Sequence, residues 1–251
     1  MSKEKIKFPS IKDFSATSWE KLSQKKIYFG HQSVGNNIIA GMRDVLKDHP
    51  QIKLNIVEIT DPGDLKGSGF AHSPVGRNQD PISKIRAFSE YIHKGLGNKA
   101  DIAFFKFCYI DITPETDVEE IFNEYKKTML ELKENYPDTK FMHVTVPLKV
   151  VQTGPRVWIK NLIGRPIGGY AGNIKRNQFN ELLKKEYKGN ELIFDLGMVE
   201  SVFPDGTRNV FTKNGKNYFA LVPEYSHDGR HLNEKGRRIV AEQLLIYLAN
   251  L

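Results

Sequence analysis

The chain has 251 residues, 39% of them hydrophobic and 27% charged, a balance that suits one folded domain and excludes an intrinsically disordered chain. Its single cysteine, Cys108, excludes an internal disulfide and any multi-cysteine metal site. The net charge of +7 is spread over short pairs such as Lys25-Lys26, Lys184-Lys185 and Arg237-Arg238, so it reads as solvated helix faces, and no nucleic-acid-binding motif accompanies it.

Residues 1–10 are Lys-rich with no apolar core behind them, and no run approaches the ~18 apolar residues of a membrane span. The expectation is a cytoplasmic protein as written, or an exported one if a signal peptide has been trimmed away. Residues 26–30 then predict a short buried strand. Val34, Ile38, Met42, Val45 and Leu46 follow at helical spacing. A second strand is expected over 53–59 and a Gly/Pro-rich loop over 60–80. Pro81 suits the first position of the next helix, whose inner face is marked by Ile82, Ile85, Ser89 and Ile92.

Residues 101–110 are almost all apolar, as in a central strand covered on both faces. The stripe Val118, Ile121, Phe122, Tyr125, Met129 and Leu132 predicts a helix over 115–136. A fourth strand is expected at 141–148, an irregular stretch at 150–172, a helix at 173–187 and a fifth strand at 192–196. Asn214-Gly215 predicts a β-hairpin within 208–222. Asn233 is a fitting N-cap for the last helix.

Five strands alternating with helices predict one α/β domain over 1–251, with loop insertions at 150–172 and 202–222. In such open sheets ligands bind beyond the carboxyl ends of the strands. That rule singles out the loops after Gly30, Ile59, Ile110 and Leu148, and the loop before the last helix.

Two of those loops carry chemistry. The first reads Gly30-His31-Gln32-Ser33-Val34-Gly35. It places a hydroxyl where a strand turns into a helix, near free backbone N–H groups able to hold an oxyanion. The same position suits a plain helix cap. The second reads Ser226-His227-Asp228-Gly229-Arg230-His231. His231 can act as general base and Asp228 can orient its ring. An Asp three residues before a His is common by chance; its place just before the final amphipathic helix gives it meaning.

This layout resembles the SGNH, or GDSL-like, hydrolase superfamily, and within it a branch with a Gly-His-Gln-Ser first block. The resemblance spans Ile27 to Leu248. It implies a three-layer α/β/α sandwich with a five-stranded, mostly parallel sheet in flavodoxin-like order. It further implies a serine esterase in which Ser33 is the nucleophile, His231 the base and Asp228 the orienting acid. The implied substrate is a small-molecule or carbohydrate ester, an O-acetyl carbohydrate among the candidates, with no cofactor, metal, nucleic acid or membrane span required. The oligomeric state is left open.

The chain departs from the family pattern in two places. The first block is one residue longer than Gly-Asp-Ser. The third block should donate an Asn to the oxyanion hole, yet the strand here ends Phe107-Cys108-Tyr109-Ile110-Asp111, which matches only the Asp. Gly76 is the candidate second-block glycine, with Gly67 and Gly69 as rivals, and Asn78 is the candidate replacement donor. The oxyanion hole would then be the Ser33 and Gly76 N–H groups with Asn78.

His31, Gln32, Asp111 and His227 are candidate site-lining residues. A zinc site from His31, His72, His227 and His231 lacks compact ligand spacing. Cys108 reads as packing. Asn173, Arg176 and Asn180 share one helical face, either bracing the catalytic loops or simply solvated. Lys149, Arg156, Lys160 and Arg165 point to an anionic substrate. A catalytically weak or inactive binding protein for carbohydrate or anionic ligands on the same scaffold is the alternative, and a nucleic-acid-binding protein is the reading that the charge alone would feed.

Overall fold

In the computed structural model, which describes residues 5–152 and 167–251, side chains along the inner strands alternate between two cores. On β1 (Lys26–His31), Ile27 and Phe29 enter one core and Tyr28 the other. On β4 (Ile102–Phe105), Ile102 and Phe104 face one way, Ala103 and Phe105 the other. The two-residue period of an extended chain thus distributes a continuous apolar run over both faces of one sheet.

The sheet has six strands, not the five expected. β2 (Ile56–Glu58), β3 (Gly69–Pro74), β5 (Lys140–Val144) and β6 (Leu192–Phe194) complete it in the order β2-β3-β1-β4-β5-β6, with every pairing parallel. The additional strand is β3, inside the stretch expected as loop. The expected strand 53–59 shrinks to the three-residue edge strand β2. Without that edge strand the order is the flavodoxin-like 2-1-3-4-5.

The first core lies under α1 (Ala16–Ser23), α2 (Val34–Asp48), the short α6 (Leu196–Val199) and α7 (Glu234–Ala249). The second lies under α3 (Pro81–His93), α4 (Val118–Asn135) and α5 (Tyr170–Tyr187). Local chemistry sets the helix starts. Asp80 Oδ1 accepts from Ser83 N ahead of Pro81, Asp117 caps α4, and Asn233 Oδ1 accepts from Gly236 N at 3.0 Å. The hairpin β7 (Val210–Lys213) and β8 (Lys216–Phe219) turns on Asn214 (φ 51°) and Gly215 (φ 73°), both left-handed as a type I′ turn requires. Phe211, Tyr218 and Ala220 pack it against Val151, Tyr170 and Ile174.

Helices α2 and α7 pack closely, because a Cβ on Gly41 would run into the carbonyl of Arg237. Arg237 pairs with Asp44 at 2.7 Å, and Arg238 with Asp48. This contact brings the start of α2 beside the loop that precedes α7, and so joins residues far apart in the chain.

A ladder of amide side chains organises the other flank. Asn173, Asn177 and Asn180 follow helical spacing on α5 and are all buried. Asn180 accepts from Val146 N (2.7 Å) and donates to Val146 O (3.0 Å). Asn173 does the same to Lys149 (3.0 and 2.6 Å), and Asn177 to Phe219 (3.0 and 3.0 Å). Each carboxamide offers the donor–acceptor pair of a peptide group, so α5 holds irregular chain much as a neighbouring strand would. The face shared by Asn173, Arg176 and Asn180 is therefore a brace, not a solvated surface.

Candidate active site

Ser33 follows β1 and precedes the first turn of α2. Its backbone stands at φ 50°, ψ −105°, a region that costs a non-glycine residue about 1–3 kcal/mol. A plain capping serine would have an extended backbone and a hydroxyl turned back to the helix. Ser33 makes no side-chain cap bond. Its Oγ instead lies 2.8 Å from His231 Nε2.

The His231 ring is held from the far side, with Nδ1 2.7 Å from Asp228 Oδ2. The other oxygen, Asp228 Oδ1, accepts from the backbone N–H groups of Arg230 and His231, both at 2.8 Å, and from Ser226 Oγ at 3.1 Å. Partial desolvation opposes the charge of Asp228, but these donors outweigh it together and hold the carboxyl well below the usual range. An Asp228 ionised at neutral pH favours the His231 tautomer protonated at Nδ1, which leaves Nε2 to accept from Ser33. Ser33, His231 and Asp228 are therefore brought together as the sequence suggested.

Gly76 (φ 56°) lies on the loop between β3 and α3, and any Cβ there would strike the backbone of Lys84. Its carbonyl accepts from Gln32 Nε2 at 2.8 Å, which ties this loop to the residue before Ser33. Gly69 begins β3 and Gly67 lies in the preceding connection. Asn78 is exposed on the loop after Gly76, and its Oδ1 accepts from Lys84 Nζ at 2.9 Å. With the oxygen so held, the Nδ2 donors are left for another acceptor.

Asp111 does not line the site. It is buried, pairs with Lys84 at 2.5 Å, and accepts from Gln79 N (2.9 Å) and Cys108 N (2.6 Å). It supports the loop that carries Asn78. His31 is also buried, its Nε2 3.1 Å from His72 Nδ1, and its side chain packs against Gly35 in the first turn of α2. His227 is exposed beside Glu224, Asn233 and Lys235, and no contact brings it to Ser33. Cys108 is buried, with its Sγ 3.2 Å from Gln32 O and 3.3 Å from Lys106 Nζ. Among the described residues no three His, Cys, Asp or Glu side chains gather as metal ligands. Arg156, Lys160 and Arg165, and most of the expected insertion 150–172, lie outside the described residues.

Tyr109 is the site residue that sequence reasoning missed. Its hydroxyl is 3.5 Å from His231 Nε2, and its ring meets the imidazole edge-on. Burial raises its pKa, with Arg230 pulling the other way, so the hydroxyl keeps its proton at neutral pH. It occupies the third block, where the expected Asn is absent. That gap was the available signal.

No protein-family model matches the chain, and no curated protein matches it in sequence. Solved structures do. A GDSL-like lipase from Bacteroides thetaiotaomicron is 15% identical, with a TM-score of 0.56 over 94% of this chain and 95% of that one. A protein from Parabacteroides merdae named a GDSL-like lipase is 13% identical, with a TM-score of 0.52 over 90% and 98%. A Desulfitobacterium hafniense protein named for the G-D-S-L lipolytic family is 9% identical, with a TM-score of 0.50 over 88% and 99%. The chain has the α/β sandwich fold of these GDSL-like proteins along nearly its whole length.

Proposed function

We propose that the protein is a serine esterase of the SGNH type. The observation that carries this reading is the unbroken relay Ser33 Oγ–His231 Nε2 at 2.8 Å and His231 Nδ1–Asp228 at 2.7 Å, built on a strained serine at a helix start. In this mechanism Ser33 Oγ attacks the ester carbonyl while His231 takes its proton, and the alcohol leaves with that proton. Water, activated by the same imidazole, then attacks the acyl-Ser33 ester and releases the acid. The Ser33 and Gly76 N–H groups and Asn78 Nδ2 would hold the developing oxyanion. Small acyl esters, including O-acetyl carbohydrates, fit this chemistry. An inactive binding protein would have no use for the strain at Ser33.

A fluorophosphonate probe should label Ser33, and Ser33→Ala should abolish both labelling and hydrolysis of 4-nitrophenyl acetate. The expected loss is several orders of magnitude, on the scale of triad knockouts, and a variant retaining more than about a tenth of the activity would overturn the assignment.

A further inference from the structure

Beside the relay the described residues gather positive charge that no ion pair among them neutralises. Lys149 Nζ lies 5.7 Å above the centroid of the Tyr109 ring, and the hydroxyl of that ring is 3.5 Å from His231 Nε2. The ammonium is thus one aromatic ring away from the reacting atoms. Arg230 belongs to the catalytic loop itself, between Asp228 and His231, and acts electrostatically on both Tyr109 and Lys149. Arg176 lies beneath them, buried; among the described residues its hydrogen bonds go to neutral oxygens, Tyr109 O at 2.7 Å and Asn173 Oδ1 at 2.8 Å, while the buried Glu200 acts on it electrostatically without a direct ion pair. Among the described residues no acidic side chain forms an ion pair with Lys149, Arg176 or Arg230. Asp228, the acid that acts on Lys149, is already saturated by His231, Arg230 N and Ser226. Elsewhere on the surface cations commonly do have partners, as in Lys126–Glu186, Lys216–Glu181 and Lys235–Glu224.

The placement of Lys149 is built rather than incidental. Asn173 grips its backbone N–H and C=O together. The next residue, Val150, donates to Gly229 O at 3.0 Å, which joins this segment to the catalytic loop. Burial lowers the pKa of Lys149, and Arg176 and Arg230 lower it further while Asp228 raises it. Like charges held together and partly desolvated are costly in the empty site, and an arriving anion removes that cost.

We propose that Lys149 and Arg230 form a subsite for an anionic group on the substrate, so that the preferred ester carries a carboxylate a few bonds from the scissile carbonyl. This rests on the esterase reading above and names the substrate class of the same site. Lys149 and Arg230 bind substrate; Arg176 and Asn173 position them.

The test uses matched pairs that differ only in charge: mono-4-nitrophenyl adipate against its methyl ester, and 4-acetoxybenzoate against its methyl ester. The first pair places the carboxylate on the acyl side, the second on the alcohol side. Wild type should show at least about a tenfold higher kcat/KM for the acid in one pair, declining as salt screens the charges. Lys149→Met and Arg230→Gln should each pull that acid-to-ester ratio towards one, while Lys149→Arg keeps most of it. The ratio cancels any general loss of turnover. A wild-type ratio near one in both pairs overturns the subsite and leaves the esterase reading standing, as does a ratio that both variants preserve. If wild type cleaves none of these esters, the esterase reading fails and binding decides the subsite. Ser33→Ala protein titrated by NMR should then bind monomethyl adipate and not dimethyl adipate, with the preference lost on adding Lys149→Met. Equal binding of the two overturns the subsite.

Discussion

At the scale of single residues, the hydrogen-bonded set Ser33–His231–Asp228 could be anticipated because its signals are local. Asp228 and His231 meet within one turn of chain, and Ser33 is marked by the strand-to-helix change around it. The proposed oxyanion donors are less legible, because their positions depend on a support that no short motif encodes. Lys84 comes from α3 and Asp111 from beyond β4, and together they fix the loop of Asn78 and Gln79. Tyr109 could be found only by asking what fills the place of a missing Asn. If Asn78 Nδ2 serves the oxyanion, Asn78→Ala should lower kcat by about 100- to 1000-fold, with only a modest fall in the urea midpoint because the buried Lys84 loses one acceptor and keeps its pair with Asp111. Normal turnover in that variant would assign the hole to backbone groups and Tyr109.

At the scale of elements, α2 to α5 and α7 followed from periodicity and caps, while α1, the short α6 and the sixth strand did not. Gly69-Phe70-Ala71-His72-Ser73-Pro74 has the composition of a loop. It is extended because β1 and β2 offer ladders on its two sides, and its register is set by Gly69 opposite Lys26 and Phe70 opposite Ile56. Tertiary pairing overrides a weak local preference there. The brace on α5 was likewise only half visible: spacing put the amides on one face, but not what that face would touch. Asn180→Ala should strand a buried N–H and a buried C=O on Val146. The expected cost is about 2–4 kcal/mol, read from urea unfolding, with m unchanged. A loss below about 0.5 kcal/mol would mean that water replaces both bonds.

At the scale of the whole molecule, stability should depend on pH through the buried His31–His72 pair. Burial pushes His31 down to about 3, with Lys106 and His72 adding repulsion, and burial lowers His72 as well. Both rings are therefore neutral in the folded chain, whereas an unfolded histidine titrates near 6.5. Above that value neither state takes a proton and the fold has its full stability. As pH falls from 6.5 towards 3 the unfolded chain takes protons that the folded chain refuses, and stability declines. His31→Gln should flatten the dependence of the urea midpoint on pH between about 6.5 and 5, where most carboxylates remain ionised. An unchanged slope would place the acid sensitivity elsewhere.

The amide ladder on α5 has a consequence of another kind. Its asparagines hold Val146, Lys149 and Phe219 by their main chain, and the peptide group is the same whatever side chain it bears. Substitutions at Lys149 or Phe219 can therefore accumulate while the path of the chain past His231 is preserved. Divergence in what the site accepts is uncoupled from divergence in how the site is held. A lineage built this way can change its diet by altering single codons, without first having to reinvent its scaffold.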